Sequence, residues 1–331
     1  MKPCIYFEPK IKNDNFEGAR LRKNIKNALE INNVSYSKAI IDTYDIIHFI
    51  SIDDELKIND ALESNIPVVF SALYCESDEC ARTSLKSQPT SLSQKAVRVL
   101  NKVDCVLVSD SISKKFLINN GIKTRIEIVT PGVNLSRFEK HNDFKEDIFY
   151  SYYQIDKNKK FIVSISTSDD KNVNKKMAFI AKRCPDILFF HFSPINKNNL
   201  TTSFWKDIPS NLKICPLINS ELYCSMMKNA FAYLSIDNNY HSPLMLLEVM
   251  ASKTPIIALS PLQMNEEYLE ASNAYIGKSE EEISKIINQL NNNELEYKND
   301  DGYKFAKNNS IEVLGKQLIN VYEKIIREKK Q

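Results

Sequence analysis

The chain has 331 residues, of which 43% are hydrophobic and 26% charged, as in an ordinary globular protein of two domains. The formal net charge of +2, with no Lys/Arg cluster interleaved with aromatic residues, argues against a nucleic-acid partner. Seven cysteines without a C-x2-C pair, and no apolar run near ~18 residues, predict reduced core thiols, a cytoplasmic location and no membrane-spanning helix.

The first part of the chain alternates short apolar runs with helical patterns. The runs predict strands at 4–7, 46–50, 68–71, 105–108 and 126–129. The periodic segments between them predict helices at 18–32, 55–64, 92–101 and 111–119. Such alternation is typical of βα units around a mostly parallel sheet.

After Pro131-Gly132 a polar and aromatic stretch at 139–158 is typical of a connection between domains, and the alternation then resumes. Strands are predicted at 161–165, 187–192, 212–215, 231–236 and 256–259. Helices are predicted at 175–183, 220–228, 243–251, 281–292 and 311–327. Two α/β halves are therefore expected, facing a cleft that is the default ligand site.

One carboxylate stands out in the second half. The segment from Leu244 to Ala251 is apolar on every face except at Glu248, and Ser242 and Pro243 suit the start of a helix. A buried carboxylate must find hydrogen-bond donors or a cation, because its desolvation costs several kcal/mol. Glu248 is therefore a candidate for binding ligand hydroxyls, and its other interpretation is a structural ion pair or a set of backbone hydrogen bonds.

Three segments carry a family resemblance: IVTPGVNLSRF before the linker, FIVSIS followed by Lys171, and LLEVMASKTPIIA. Together they resemble the retaining, nucleotide-sugar-dependent glycosyltransferases of GT-B fold. DTYDIIHFI and the short first half are more similar to the subset that makes glycosyl-diacylglycerol lipids in low-GC Gram-positive bacteria.

The resemblance implies an α/β fold of two Rossmann-like domains facing a cleft. It places an acceptor domain at 1–138, a linker at 139–158, a nucleotide-sugar domain at 159–308 and a helix that crosses back to the first domain at 309–331. It also implies a nucleotide sugar such as UDP-hexose as donor, a lipid or polysaccharide acceptor, and neither a cofactor nor a metal ion.

The family motifs map onto this chain with substitutions. The second glutamate of the E-x7-E motif, which binds the ribose in relatives, falls on Glu248, whereas the first falls on Tyr240. The glycine-rich turn that follows becomes His241-Ser242-Pro243. The diphosphate-binding pair G-R-x4-K becomes Ile165-Ser166, with Lys171 at the lysine position. The predicted donor-binding residues are Glu248, Lys171, Ser242, Ser166, His241 and Tyr240.

The first half departs from the family pattern as well. A histidine of relatives would fall within residues 71–73, where none stands, and the glycine-rich loop is reduced to Gly18-Ala19-Arg20. Each donor or cation aimed at the leaving group is worth roughly 3–4 kcal/mol. The alternative to an active enzyme is therefore a catalytically silent homologue that serves as partner or regulator of an active glycosyltransferase.

Several of these residues have a plainer interpretation. Lys171 fits a solvated loop, and His241 fits a polar turn. Arg20 belongs to a basic helix face with Arg22, Lys23 and Lys26, which suits either solvent or the anionic inner face of a membrane.

Overall fold

A computed structural model describes residues 1–6, 17–52, 55–74, 92–139, 147–166, 170–194, 208–236, 243–260 and 266–331. The described residues form two compact units. The first contains Met1–Asn134, residues 243–247 and Asn308–Gln331, and the second contains Leu135–Asn238 and Glu248–Lys307, as far as these are described.

The first unit is built on one parallel sheet. Its strands are β1 (Pro3–Tyr6), β2 (Ile46–Phe49), β3 (Val68–Ser71), β4 (Cys105–Val108) and β5 (Ile126–Ile128), and they lie side by side in that order. Its helices are α1 (Glu17–Ile31), α2 (Glu55–Glu63), α3 (Gln94–Leu100), α4 (Ser111–Asn119) and the last helix of the chain, α12 (Ile311–Lys329).

The core of the first unit is closed by α1 and α12. Both helices contribute buried apolar side chains to one cluster over the sheet. The two helices approach closely at Gly315, where an added Cβ would collide with the Ala28 carbonyl and the Asn32 side chain. Asn24 on α1 donates a hydrogen bond to the Gly132 carbonyl oxygen at 2.7 Å. This bond links α1 to the residues that follow β5.

The second unit is built on another parallel sheet, ordered β11-β10-β9-β6-β7-β8. The strands are β6 (Phe161–Ile165), β7 (Leu188–Phe192), β8 (Leu212–Cys215), β9 (Ala232–Ser235), β10 (Ile256–Leu259) and β11 (Tyr275–Gly277). The helices are α5 (Ile148–Tyr153), α6 (Lys171–Arg183), α7 (Ser220–Asn229), α9 (Glu266–Ala271), α10 (Glu280–Asn291) and α11 (Asp300–Asn308). Helix α8 (Pro243–Ala251) begins in the residues of the first unit and ends in those of the second.

Each strand predicted from the sequence is present, with its ends displaced by no more than one residue. Helix α6 begins at Lys171 rather than 175, because Asp170 caps it by accepting from the Asn172 amide at 2.8 Å. Helix α5 lies within the stretch predicted as a linker, where Phe149 is buried and stacks on Phe161 at 5.0 Å between ring centroids. Helices α9 and α11 and strand β11 were not predicted.

The described cysteines agree with reduced core thiols, since Cys4, Cys105, Cys184 and Cys215 are buried and unbridged. Among the described residues, none of the helices combines the length and apolar composition that crossing a bilayer requires.

Candidate functional site

The strand order of the second sheet reverses between β6 and β9. These strands are neighbours, with Ile162 opposite Ala232, although β7 and β8 intervene in the sequence and lie on the other side of β6. In parallel α/β sheets a crevice opens at the carboxyl ends of the strands where the order reverses, and ligands bind there. The residues that follow β6 and β9 therefore define the candidate site.

Ser166 and Lys171 flank the segment that leaves β6. Ser166 is buried, and its amide donates to the Phe192 carbonyl oxygen at 2.8 Å, which continues the pairing of β6 with β7 beyond the strand ends. Lys171 is the first residue of α6, and its side chain is exposed. Both predicted residues therefore lie on the carboxyl side of β6, beside the reversal in strand order.

Two further lysines, Lys175 and Lys176, follow Lys171 on α6. Lys175 is exposed on α6, whereas the ammonium of Lys176 lies 3.9 Å from a Glu280 carboxylate oxygen. The charge of Lys176 is therefore partly balanced within the second unit, and Lys171 and Lys175 are better placed to meet an anion.

Glu248 is buried on α8, as predicted, with 1% of its surface exposed. The Tyr223 hydroxyl on α7 donates to Oε2 of Glu248 at 2.6 Å. The Glu248 backbone carbonyl accepts from the Ser252 hydroxyl at 2.9 Å. The carboxylate thus has a hydrogen-bond donor, as its burial requires, and Tyr223 supplies it from a neutral side chain. A carboxylate accepts about four hydrogen bonds in all, so the Tyr223 bond is compatible with further bonds from ligand hydroxyls.

Tyr223 is itself held by neighbours that the sequence analysis did not single out. Its ring meets Phe138 edge to face, with centroids 6.2 Å apart. Arg137 donates to the Ser220 hydroxyl and to Cys224 Sγ, the latter at 3.4 Å. Burial raises the pKa of the Cys224 thiol. The charge of Arg137 lowers this pKa and the charge of Glu248 raises it, so both charged groups lie near the thiol.

Arg137 and Phe138 belong to the segment IVTPGVNLSRF, but no local pattern indicated that Phe138 packs on Tyr223 or that Arg137 bonds to residues of α7. The only available signal for Tyr223 was its place in the amphipathic pattern of α7, which marks a core position and not a polar role.

Three predicted donor-binding residues, Tyr240, His241 and Ser242, lie outside the described residues. The described part of α8 begins at Pro243, which agrees with the predicted first helical position.

Gly18 and Arg20 lie in the first turn of α1, in the first unit, and both are buried. An Arg20 guanidinium nitrogen lies 3.8 Å from a Glu17 carboxylate oxygen, so its charge is balanced within the helix.

The histidine expected at 71–73 is replaced by a different arrangement in the first unit. Ser71 Oγ lies 2.6 Å from Nε2 of His48 on the neighbouring strand, and Tyr322 Oη lies 2.6 Å from Nδ1. Burial lowers the pKa of His48 to about 3, so the ring is neutral near pH 7. Leu73 just beyond has a φ of 65°, a left-handed conformation that is uncommon outside glycine.

Comparison with known proteins gives similarity along the whole chain. No family model matches. The processive diacylglycerol alpha-glucosyltransferase of Acholeplasma laidlawii is 21% identical over 311 residues, which cover 92% of each chain. The crystal structure of Anabaena Alr3699/HepE in complex with UDP and glucose has a TM-score of 0.73 at 10% identity, covering 98% of this chain and 99% of that one. A glycosyltransferase from Rickettsia africae has a TM-score of 0.69 at 12% identity, covering 98% of each chain.

The chain therefore has the fold of GT-B glycosyltransferases, in agreement with the α/β class of two Rossmann-like units predicted from the sequence.

Proposed function

We propose that the chain is a retaining glycosyltransferase that transfers a hexose from a UDP-sugar to a glycolipid or polysaccharide acceptor, with a diacylglycerol lipid as the first candidate. The observation that supports it most is the agreement of two comparisons along the full chain. The similar sequence belongs to a diacylglycerol alpha-glucosyltransferase, and the similar structure holds UDP and glucose. An α-glucoside formed from the α-linked sugar of UDP-glucose retains the configuration of the anomeric carbon.

The proposed reaction replaces one bond at the anomeric carbon of the donor sugar with a bond to the acceptor. The bond to the phosphate oxygen breaks, and UDP departs with its electron pair. The acceptor hydroxyl oxygen bonds to the same face of the anomeric carbon, and its proton passes to the departing phosphate oxygen. Negative charge develops on the diphosphate, so cations and oriented donors near it lower the barrier. The family resemblance assigns this role to groups of the protein without a metal ion.

Glu248 is the proposed ribose-binding residue. Its carboxylate accepts from Tyr223 and lies on a helix whose start follows the segment that leaves β9, beside the reversal in strand order. Two vicinal ribose hydroxyls are suitable donors for a buried carboxylate, because each bond offsets part of its desolvation.

Lys171 is the proposed cation for the diphosphate, since it is exposed at the start of the helix that follows β6. Ser166, Ser242, His241 and Tyr240 are the further proposed donor-site residues. The family's motif arginine, first glutamate and histidine are replaced in this chain, and we expect slow turnover for this reason. Each missing group removes roughly 3–4 kcal/mol of transition-state stabilisation if no other group compensates.

The function is tested by transfer of labelled glucose from UDP-glucose to diacylglycerol in mixed micelles, with UDP-galactose and GDP-mannose as alternative donors. The proposal predicts a labelled glycolipid. Glu248→Gln should reduce its rate at least about tenfold, since a hydrogen bond to a charged group contributes about 1.5–3 kcal/mol. Glu270→Gln removes an exposed carboxylate on α9 and is the matched control, which should behave as wild type.

If the wild-type chain forms product and the Glu248→Gln variant forms it at the same rate, Glu248 is not part of the donor site. UDP binding without transfer to lipid or polysaccharide from any donor would instead favour the catalytically silent homologue. The membrane prediction is tested in the same assay by adding anionic vesicles, because a basic helix face should recruit the chain to them.

A further inference from the structure

The second unit contains a cavity of about 760 Å³ that the proposed reaction does not use. It is lined by five lysines, Lys157, Lys159, Lys160, Lys228 and Lys253, and we call it the lysine cavity. Its volume lies within the range of small-molecule sites.

The lysine cavity lies at the amino ends of the strands. Lys160 immediately precedes β6, Phe231 immediately precedes β9, and Thr254 lies two residues before β10. The Phe231 amide donates to the Phe161 carbonyl oxygen at 2.8 Å, which places these strand starts side by side. Ser166 and Lys171 of the proposed donor site lie at the opposite edge, about 16 Å away along β6 at the usual rise per residue. Glu248 lies closer, one helical turn before Ser252, which lines the cavity. A ligand whose phosphates meet the lysines of the cavity is therefore separate from the diphosphate of the sugar nucleotide.

The charge of this cavity is poorly balanced. Lys157 is paired with Asp147 at 2.6 Å, but both side chains are largely exposed, so the pair is weak. The ammonium groups of Lys160 and Lys253 lie over the rings of Phe231 and Tyr303, each 4.6 Å from the ring centroid. These contacts orient the ammonium groups and leave their charge in place.

Lys159 and Lys228 have no ion-pair partner within the described part of the chain. Among the described residues that line the cavity, Glu139 is the one acidic residue, and it accepts from the Tyr303 hydroxyl at 2.8 Å. The five lysines therefore exceed the described acidic groups around them, which are Glu139 and the Asp147 partner of Lys157.

Helix ends explain part of this pattern. Lys228 lies in the last turn of α7, and Lys253 lies two residues beyond α8, where a cation offsets the negative end of the helix dipole. Lys159 and Lys160 lie in the turn that leads into β6, so they do not have this role at α7 or α8. The concentration of charge thus exceeds what the two helices require.

We propose that the lysine cavity binds a ligand that carries two or more phosphate groups. Several ammonium groups around one space match several phosphate charges, and Lys binds phosphate as a point charge with three donors. The Phe231 and Tyr303 rings give the same space apolar faces for the remainder of the ligand. The phosphates can belong to a soluble compound or to clustered lipid headgroups, and the two sources differ in whether a membrane is needed.

The test is calorimetric titration of the full chain with tripolyphosphate at low salt, with and without saturating UDP. The proposal predicts a binding event that UDP does not remove. The double variant Lys159→Gln/Lys228→Gln should weaken the binding of tripolyphosphate at least about fivefold, because each substitution removes a charge-assisted hydrogen bond to phosphate. The double variant Lys182→Gln/Lys285→Gln removes the same net charge from exposed positions on α6 and α10 and should leave it unchanged.

A second arm replaces tripolyphosphate with phosphatidylglycerol vesicles, and with phosphatidylcholine vesicles as control. Binding to the anionic vesicles alone, with the same dependence on Lys159 and Lys228, identifies headgroup phosphates as the source. Binding of tripolyphosphate in solution identifies a soluble ligand. The proposal is overturned if neither probe binds, if UDP abolishes the event, or if both double variants weaken it equally. None of these results depends on turnover, so the site stands or falls separately from the proposed transferase.

Discussion

The two sheets order their strands differently. The described strands of the first unit lie side by side in the order in which they occur in the chain. In the second sheet, whose described strands are also parallel, the strand order reverses between β6 and β9. Only a reversal opens a crevice at the carboxyl ends of the strands. This difference supports the proposal that the second unit binds the nucleotide, which is the role that the family resemblance implies.

The two units also differ in how they satisfy a buried ionisable side chain. In the first, His48 is fully buried, and both ring nitrogens have hydroxyl partners, Ser71 and Tyr322. A neutral imidazole has one donor and one acceptor nitrogen, so this arrangement uses its full capacity. In the second, Glu248 is buried and accepts a hydrogen bond from the Tyr223 hydroxyl. The first centre pairs a neutral ring with two hydroxyls, whereas the second holds the carboxylate that we propose to bind the ribose.

The largest expected effect comes from helix packing in the two units. Gly315→Ala should cost about 3 kcal/mol or more, because the new methyl collides with the Ala28 backbone across the α1–α12 contact. Gly302→Ala on α11 is the matched control. Its Cβ would come nearest to the flexible Met250 side chain, at 3.2 Å, and would meet Ser272 at an ordinary contact distance of 3.5 Å. Alanine also favours the helix by about 1 kcal/mol. Urea unfolding of both variants measures the difference, and equal stability of the two would contradict this account of the α1–α12 contact.

A pair of Tyr→Phe variants compares the two polar centres. Tyr223→Phe removes a donor to a buried carboxylate and should cost about 1.5–3 kcal/mol. Tyr322→Phe removes a neutral partner of His48 and should cost about 0.5–1.5 kcal/mol. The free energies of unfolding at pH 7 give both values. The reverse order would mean that Glu248 depends little on Tyr223, and that other groups satisfy its charge.

The smallest effect is the pH dependence of the first unit. The pKa of His48 is lowered to about 3, from an ordinary value of 6.5. Below pH 6.5 the unfolded chain binds a proton that the folded chain does not, so stability falls as the pH falls. This linkage contributes a loss of about 1 kcal/mol between pH 7 and pH 5.5, and it is complete only when the pH reaches the folded pKa. Urea unfolding across this range should show the loss in the wild type and a smaller one in His48→Asn. Identical pH dependence in both would exclude His48 as its source.

Much of the fold follows from local patterns. Each predicted strand is present because buried parallel strands are short apolar runs bounded by polar residues, a signal that does not depend on distant contacts. The missed elements depend on such contacts. Helix α5 has only six residues and is held by Phe149 among the aromatic side chains of β6 and β7, while β11 has three residues and exists by pairing with β10.

The candidate site was predictable only in part. The isolated carboxylate in an apolar helix predicted the burial of Glu248, since polarity and period are properties of one segment. Its partner was not predictable, because Tyr223 lies 25 residues earlier on another helix and only the tertiary fold of the second unit brings the two side chains together. The predicted start of α6 was four residues late because Asp170 and its capping bond were not recognised.

The most direct test of the account is the affinity of UDP for the wild-type chain and for Glu248→Gln, with Glu270→Gln as control. Glutamine keeps an acceptor for Tyr223 and fills the same space, so the fold should persist with an unchanged unfolding midpoint. The account predicts that UDP binds the wild type and the control equally and binds Glu248→Gln about ten- to a hundredfold more weakly, equivalent to about 1.4–3 kcal/mol. Equal UDP affinity in all three, or a Glu248→Gln chain that fails to fold, would show that Glu248 serves the structure and not the nucleotide.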